Sequence, residues 1–293
     1  MHKKHLICVV GSINWDLTLD VASLPRPGET VLASSLAYAP GGKGGNQAVA
    51  AARAGARVQF VGAVGDDSAG PQLLAHLLAA GIDVDGVARR QGPSGTAIIV
   101  VDGDGENTIV VAPGANAALS VSETSVADCD VLLTQLEIPV PAALEAARHA
   151  RSAGAVVMVN ASPAGQHGDA VAELAGIADV VIVNEHEAGH WPWRPAHFII
   201  TLGARGARYL GPDGEFEVPA PAVTAVDTTG AGDVFAGVLA ADWPTRSGSP
   251  AERLVALRRA CAAGALATLV RGAGDCAPGA AEIDAAALGV PSP

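Results

Sequence analysis

The chain has 293 residues, of which 49% are hydrophobic and 16% are charged, so it is long and apolar enough to bury a sizeable core. Its formal net charge of -12 argues against nucleic acid or an anionic membrane surface as the main partner. Backbone N–H groups and a metal ion can still hold an anionic nucleotide on an acidic protein.

Short β-branched runs alternate with Ala- and Leu-rich segments along most of the chain. The first run, Leu6–Val10, is too short for a signal peptide and predicts a β-strand. Further strands are predicted at 58–61, 131–135, 156–160, 180–184 and 198–202. Helices are predicted at 46–54, 68–80, 141–153, 168–174, 232–241 and 250–270. This alternation predicts an α/β fold: a doubly wound, mostly parallel sheet with helices on both faces.

Two regions interrupt the alternation and predict a small separate sheet. Strands at 17–21 and 30–38, and at 96–102 and 108–111, read as hairpins without intervening helices. We expect them to form a lid, from about 17–38 and 96–111, within one α/β domain spanning 1–293. Such a lid would cover the carboxyl ends of the main strands, where ligands bind in open α/β sheets.

The run Asp227-Thr228-Thr229-Gly230-Ala231-Gly232-Asp233 is the most informative motif, and an apolar helical stretch follows it directly. Glycines at a helix N-terminus let unpaired N–H groups approach an anion such as phosphate. The carboxylate of Asp233 has two possible roles at this position. It can favour the helix N-terminus, or it can take a proton from a hydroxyl that attacks the phosphate.

Polar and glycine residues also follow several other predicted strands. Asn14 and Asp16 share one side of an extended segment after the first strand, where an Asx turn is an equally good interpretation. A glycine-rich turn, Gly41-Gly42-Lys43-Gly44-Gly45-Asn46, opens a helix and lacks the Walker A spacing. Further features of this kind follow later strands: Glu137, Asn184 with Glu187, and Thr201-Leu202-Gly203-Ala204-Arg205-Gly206.

Together these motifs resemble the ribokinase (pfkB-type) family of sugar kinases, in order from about residue 6 to 278. The resemblance implies a ribokinase-like fold and ATP-dependent phosphorylation of the primary 5-hydroxyl of D-ribose, giving ribose 5-phosphate and ADP. Asp233 would be the catalytic base, and the N–H groups of Gly230, Ala231, Gly232 and Asp233 would form an anion hole. The residues implied to hold the sugar are Asn14, Asp16, Gly42, Lys43, Asn46, Glu137 and Asp233.

The resemblance also implies ATP, Mg²⁺ and a monovalent cation, usually K⁺, as cofactors. Glu187 would support Mg²⁺, and the nucleotide site would be formed by Asn184, Thr201, Gly203, Gly206 and Gly232. One loop of the K⁺ site would supply Asp227 and the carbonyl of Thr229, and a second loop would supply backbone around Arg271, Ala273 and Cys276. Cys276 stands where the family often has serine, and a thiol is a poor ligand for a hard cation.

The segment after Glu187 departs from the family pattern. Only ten residues, Ala188–His197, separate it from the next strand, and two of them are prolines, whereas a parallel crossover normally needs a dozen or more. We expect Trp191 and Trp193 to cover the sheet face that a longer helix would have buried. The sequence His186-Glu187-Ala188-Gly189-His190 matches a zinc-protease pattern, but glycine and the prolines after it disfavour the continuous helix that such a site needs.

Alternative functions stay open from sequence alone. They are a kinase of another pentose or of a nucleoside, and a catalytically weak sugar-binding protein disabled by the short crossover.

The four cysteines lack CxxC spacing and no stretch approaches transmembrane length, which predicts a cytoplasmic protein. The family resemblance further implies a homodimer that pairs through the lid. The net charge predicts no nucleic-acid or membrane partner.

Overall fold

The computed structural model describes residues 5–103, 106–121, 126, 129–245 and 248–289. Its strands, in chain order, are β1 (Leu6–Val10), β2 (Asn14–Asp20), β3 (Ser35–Gly41), β4 (Arg57–Gly65), β5 (Asp83–Arg90), β6 (Gly95–Val101), β7 (Asn107–Ala112), β8 (Val131–Gln135), β9 (Val156–Asn160), β10 (Val180–Asn184), β11 (His197–Thr201), β12 (Ala207–Gly211) and β13 (Gly214–Val218). Its α-helices are α1 (Lys43–Arg53), α2 (Ala69–Ala79), α3 (Val140–Ser152), α4 (Asp169–Ile177), α5 (Glu185–Ala188), α6 (Ala231–Asp242), α7 (Pro250–Ala267) and α8 (Ala280–Leu288).

Nine strands form the main sheet, in the order β13-β12-β11-β10-β9-β8-β1-β4-β5. The seven strands from β11 to β5 pair in parallel, while β12 and β13 add an antiparallel edge. All the carboxyl ends of the parallel strands therefore lie along one edge, which is where polar side chains can converge on a ligand.

Helices cover both faces of this sheet, and two apolar clusters form the core. Along β1, Ile7 and Val9 belong to one cluster while Cys8 and Val10 belong to the other, as the two-residue period of a strand requires. The first cluster includes residues of α1, α2, α6, α7 and α8, and the second includes residues of α3 and α4. The predicted α/β class and its two helical layers are confirmed. Within the described residues, no helix combines the length and apolar character needed to cross a bilayer.

The predicted strands at 6–10, 131–135, 156–160 and 180–184 match the observed bounds, but β4 is Arg57–Gly65 rather than 58–61, and the strands at the sheet edges were missed. Sequence analysis did not predict β5, β12, β13 or α8. The β5 strand carries alternating charged residues at the sheet edge, so it lacks the apolar run that marks a buried strand. The edge hairpin β12–β13 turns at Gly211-Pro212-Asp213-Gly214, a sequence with strong turn character that could have located it.

Four strands form the predicted second sheet, in the order β3-β2-β6-β7. The β2–β3 and β6–β7 pairs are antiparallel, and β2 joins β6 in parallel. Two predicted bounds were wrong: β3 is Ser35–Gly41 rather than 30–38, and β2 begins at Asn14 rather than at residue 17. Asn14 pairs with both Gly41 and Gly95, so this sheet extends right up to the polar strand ends of the main domain.

The short crossover after β10 contains a single helical turn, α5, followed by the two tryptophans. Trp191 is buried in the same apolar cluster as Val181 and Phe198, and the half-buried Trp193 packs against that cluster. The two indole rings meet edge to face, with their centroids 4.9 Å apart. The predicted tryptophan cover over this sheet face is confirmed.

We predict that Trp191→Ala lowers the free energy of unfolding by about 3–5 kcal/mol, because it leaves a large cavity over the sheet. Urea unfolding measures this change, and limited proteolysis should show new cleavage within 188–197. Trp193→Ala is the matched control, with a smaller expected effect because its indole is half exposed. Ready cleavage of the wild-type chain in this segment would contradict the cover.

Candidate active site

The glycine-rich run ends at the N-terminus of α6, which opens onto a cleft. Gly230, just before Ala231 at the start of α6, has a left-handed φ of 80°, and a Cβ there would lie 2.8 Å from the Cα of Ala273. Only glycine fits this position. A Cβ on Gly232 would meet nothing within 4 Å, and Gly230, Gly232 and Asp233 all line the cleft. Because the first N–H groups of a helix lack intrahelical acceptors, this end of α6 can receive an anion.

Asp233 lies in the first turn of α6 but is held by side chains from elsewhere. Its Oδ2 accepts a hydrogen bond from Asn46 Nδ2 at 3.1 Å, and its Oδ1 accepts one from Gln47 Nε2 at 3.0 Å. Gln135 Nε2 in turn donates to Gln47 Oε1 at 2.7 Å. Two amides of α1, one of them fixed by β8, therefore orient the buried carboxylate.

The charges around Asp233 suit proton transfer. Burial raises the pKa of Asp233 above its ordinary value, although the Lys43 ammonium and the two amide donors act in the opposite direction. Burial acts to lower the pKa of Lys43, but the carboxylates of Asp233, Glu137 and Glu187 outweigh it and raise that pKa. A general base is most effective when its pKa approaches the working pH, so Asp233 can accept a proton while Lys43 stays charged.

Two more carboxylates, Asp16 and Glu137, lie on the side of the site nearest the second sheet. Glu137 Oε2 accepts a short hydrogen bond from Ser12 Oγ and one of 3.2 Å from the Lys43 N–H. Asp16 is buried, and its Oδ1 has no hydrogen-bond partner within the described structure. Buried acceptors are nearly always satisfied, so this oxygen is available to a ligand hydroxyl.

The glycine-rich turn before α1 brings these groups together by close backbone contact. A Cβ on Gly41 would lie 2.0 Å from Asp16 Oδ2. Gly42 has a φ of 85°, and a Cβ there would lie 2.7 Å from the backbone nitrogen of Asn14. The side chain of Asn14 is buried and accepts a hydrogen bond from Asn116 Nδ2 at 2.8 Å. The structure thus places the predicted sugar-side residues around the start of α1.

Asn184 and Glu187 cap the single turn of α5 at the edge of the cleft. Asn184 Oδ1 accepts from the Glu187 N–H at 2.8 Å, and the Asn184 N–H donates to Glu187 Oε2 at 2.9 Å. This reciprocal capping box fixes both side chains at the end of β10. Thr201 lines the same cleft from the end of β11.

Gly203 and Gly206 do not line this cleft. Gly203 begins a short 3₁₀ turn after β11, Gly203–Arg205, and Gly206 follows it; their φ values are 59° and 99°. A Cβ on Gly206 would lie 2.0 Å from the carbonyl oxygen of Val218 in β13, so close packing alone requires glycine there. Gly203 faces open space, with nothing within 4 Å of a built Cβ.

Asp227 joins the two loops predicted to hold a monovalent cation. Its Oδ1 accepts from the Thr229 N–H and its Oδ2 from the Gly272 N–H, both at 2.8 Å. Although burial acts to raise it, these N–H groups hold the pKa of Asp227 below its ordinary value. The Cys276 thiol lies 3.3 Å from the Ala273 carbonyl oxygen and 4.0 Å from that of Thr229, so a carbonyl oxygen from each of the two predicted loops lies close to this thiol.

Comparison with known proteins identifies the family. The pfkB family carbohydrate kinase description matches residues 4–280. The chain is 39% identical over 246 residues to the ribokinase of Bacillus subtilis strain 168, a match that covers 78% of this chain and 82% of that protein. This chain belongs to the pfkB family of carbohydrate kinases.

Solved structures of kinases from this family share its fold. A ribokinase from Thermotoga maritima superposes with a TM-score of 0.85 at 32% identity, over 96% of this chain and 98% of its own. Arabidopsis thaliana ribokinase, solved with ribose and ATP, superposes with a TM-score of 0.84 at 28% identity, over 97% of this chain and 98% of its own. The predicted ribokinase-like fold of this carbohydrate kinase is confirmed.

The structure adds several polar residues to the kinase site that sequence analysis did not select. Asn160 and Ser162 line the cleft from the end of β9, and the Oδ1 of Asn160 is buried without a partner in the described structure. The position of Asn160 at the carboxyl end of a predicted strand was the available signal. Gln47 and Gln135 act behind Asp233, and nothing in their spacing indicated that they would meet.

The sequence His186-Glu187-Ala188-Gly189-His190, which matches a zinc-protease pattern, does not lie on one continuous helix. α5 ends at Ala188, so His186 is helical and His190 is not. His190 Nδ1 instead contacts the carbonyl oxygen of His186 at 2.9 Å. Glu187, the glutamate of that pattern, belongs to the capping box at the cleft.

We predict that Asp16→Asn stabilises the folded kinase at about pH 8 and weakens sugar binding. Burial, together with the charges of Glu137 and Asp233, raises the pKa of Asp16 from 3.8 to about 7. The folded state therefore binds this proton more tightly than the unfolded chain, and ionising Asp16 destabilises the fold as the pH rises through that interval. The substitution should gain on the order of a few kcal/mol above about pH 7 and nothing below about pH 4.

Urea unfolding across this pH range measures the difference. Asp83→Asn, at an exposed position of β5, is the matched control and should change stability little at any pH. A stability difference for Asp16→Asn that is independent of pH would contradict the assignment.

Proposed function

We propose that this carbohydrate kinase transfers the γ-phosphoryl group of ATP to the primary 5-hydroxyl of D-ribose, giving ribose 5-phosphate and ADP. The observation that carries the proposal is Asp233, a buried carboxylate oriented by two amides at the mouth of a helix N-terminus. Its relatives named ribokinase, one of them solved with ribose and ATP, support the same reaction.

In the proposed mechanism Asp233 takes the proton of the attacking hydroxyl. Asn46 and Gln47 hold the carboxylate in place, and burial strengthens it as a base. The N–H groups of Gly230, Ala231, Gly232 and Asp233 receive the negative charge of the phosphoryl group. Because phosphoryl transfer depends mainly on positioning and charge stabilisation, these groups are chemically sufficient when ATP supplies the phosphoryl group.

We assign the sugar side to the cluster of polar groups around the start of α1: Asn14, Asp16, Gly42, Lys43, Asn46 and Glu137. This set favours a free sugar over a nucleoside, since a nucleobase needs an aromatic or apolar surface. The aromatic residues Trp15 and Tyr38 of the lid do not form such a surface beside Asn14 and Asp16. Trp15 and Tyr38 stack with centroids 6.4 Å apart, and strand alternation puts Trp15 on the opposite face of β2 from Asn14 and Asp16.

We assign the nucleotide-binding part of the active site to the ends of β10 and β11 and to the turn after β11. Asn184, Thr201 and Gly232 line the cleft, and Gly203 adds backbone with open space before it. Gly206 contributes through its backbone, by letting the turn pack on β13. The Glu187 carboxylate in the cleft suits Mg²⁺, which prefers oxygen ligands.

The loops joined by Asp227 suit K⁺ in part. The carbonyl oxygens of Thr229 and Ala273 are hard donors, and the loop from Arg271 onward brings the second of them into place. Burial raises the pKa of the Cys276 thiol to about 11, so it stays neutral and contributes no negative charge. We therefore propose K⁺ activation in which backbone carbonyls, rather than Cys276, hold the cation.

We further propose a cytoplasmic homodimer that pairs through the lid. The lid strands expose apolar side chains at Leu36, Ile109, Val110 and Val111. Exposed apolar patches of this kind are typical of protein contacts. Each of the four cysteines is a buried thiol, which suits a reducing compartment.

We predict that Asp233→Ala lowers kcat by at least about 10²-fold, the contribution typical of a general base, while ribose affinity is retained. Asp169→Ala is the matched control, because Asp169 occupies the first turn of α4 and lies outside the residues that line the cleft. Steady-state ADP release and calorimetric ribose binding measure the two quantities. Equal losses of kcat in both variants would show that Asp233 acts only on its helix.

We predict that ADP release is fastest with D-ribose among pentoses and nucleosides, and that replacing K⁺ with Li⁺ slows it. A coupled assay over this panel, with both cations, tests the substrate and the cation together. Faster turnover of a nucleoside or of another pentose would show that this compound, rather than ribose, is the preferred substrate. Ribose binding without turnover of any sugar would instead identify a sugar-binding protein.

A further inference from the structure

Three segments that connect the lid to the main domain meet at one buried point. Asn14 begins β2, Gly95 begins β6, and Asn116 lies in the short 3₁₀ turn Gly114–Ala118 that follows β7. Asn14 and Asn116 are 2% and 1% exposed. Two amide side chains are therefore enclosed where the lid strands leave the kinase domain.

The backbone of Ile13 fixes the orientation of the Asn116 amide. The Ile13 N–H donates to Asn116 Oδ1 at 3.1 Å, and Asn116 Nδ2 donates to the Ile13 carbonyl oxygen at 3.2 Å. A backbone N–H can only donate and a carbonyl can only accept. Rotating the Asn116 amide by 180° would therefore break both hydrogen bonds.

This constraint passes on to Asn14. Asn116 Nδ2 also donates to the side chain of Asn14 at 2.8 Å, so the atom of Asn14 at that contact must be the acceptor Oδ1. The Nδ2 group of Asn14 is then directed away from Asn116. Two unambiguous backbone groups thereby decide which end of the Asn14 amide is left for the site.

Gly95 closes the amide pair against the lid. A Cβ on Gly95 would lie 2.1 Å from Asn116 Nδ2 and 2.2 Å from Asn14 Oδ1, so only glycine lets β6 pass over the pair. The pairing of Asn14 with Gly95 across β2 and β6 keeps this strand in place. The backbone of β6 therefore packs directly on the Asn14–Asn116 contact.

We propose that Asn116 is a positioning residue that presents Asn14 to the sugar as a hydrogen-bond donor. Asp16, two residues along the same face of β2, offers an unpartnered carboxylate oxygen as the acceptor. A donor and an acceptor side by side match a sugar hydroxyl oxygen and a hydroxyl hydrogen. This inference rests on the proposed sugar site, and it adds a residue that does not itself touch the sugar.

Asn116→Asp tests the proposal because it keeps the acceptor oxygen and replaces the Nδ2 group that donates to Asn14 and to the Ile13 carbonyl. Above the pKa of the introduced carboxyl, the charged oxygen can no longer donate to Asn14, and the Asn14 amide is driven to flip. We expect the KM for ribose to rise about tenfold relative to wild type at the same pH, which corresponds to ~1.4 kcal/mol, with kcat little changed. Below that pKa the protonated carboxyl can donate again, so the ratio of the two KM values should fall.

Two further variants separate this effect from a general loss of packing. Asn116→Ala removes the donor without adding a titratable group, so its KM should rise by a ratio that does not depend on pH. Asn107→Asp makes the same chemical change on the exposed strand β7 and should match wild type at every pH. Urea unfolding of each variant confirms that the folded enzyme is being assayed.

A KM ratio for Asn116→Asp that is constant with pH would overturn the proposal, as would a fall in kcat with no change in KM. If Asn116→Asp does not fold, an unchanged KM in Asn116→Ala overturns it equally. Failure of the proposed function is distinguishable, because it shows in the wild-type enzyme. If wild type binds ribose without turnover, calorimetric affinities replace KM; if it binds no ribose, both proposals fall.

Discussion

Several carboxylates are buried around one ammonium group at the candidate active site, and their mutual repulsion sets the electrostatics of the site. Asp16 and Asp233 are buried. Beyond the effect of burial, the charges of Glu137 and Asp233 raise the pKa of Asp16, and the charge of Glu137 raises that of Asp233. The Lys43 ammonium acts against this increase at Asp233, and the carboxylates of Asp233, Glu137 and Glu187 raise the pKa of Lys43 in turn. Burying such a cluster costs folding free energy, and it leaves carboxylate oxygens that can accept hydrogen bonds from a ligand.

The amide side chains of the site fix the orientation of its polar groups, whereas the charged side chains shift the pKa values. Gln135 orients Gln47, and Gln47 then orients one oxygen of Asp233. Asn116 does the same for Asn14 on the sugar side. In both places a buried polar side chain is fixed by a second amide side chain, which limits the orientations that it can adopt.

Most of the sheet and most of the candidate site could be predicted from sequence. The strands at 131–135, 156–160 and 180–184 are buried on both faces, so their apolar runs have sharp ends. The strand β5, by contrast, was hidden because a sheet edge needs hydrogen-bond partners but little apolar surface. The β2 strand was placed three residues late, because Asn14 and Asp16 read as loop residues until their pairing with β3 and β6 was known.

The sequence alone was enough to predict the fold class, the buried central strands and the polar residues at their carboxyl ends, because each depends on local period and spacing. Which of those residues contact one another became clear from the folded structure. Asp233 is 186 residues from Gln47, and Asn116 is 102 residues from Asn14, so neither contact leaves a pattern in the chain. The same holds for the glycine at Gly206, which the sequence associates with nucleotide and the structure explains by the carbonyl of Val218. Such contacts depend on side chains meeting across packed layers, and chain order alone does not encode those distances.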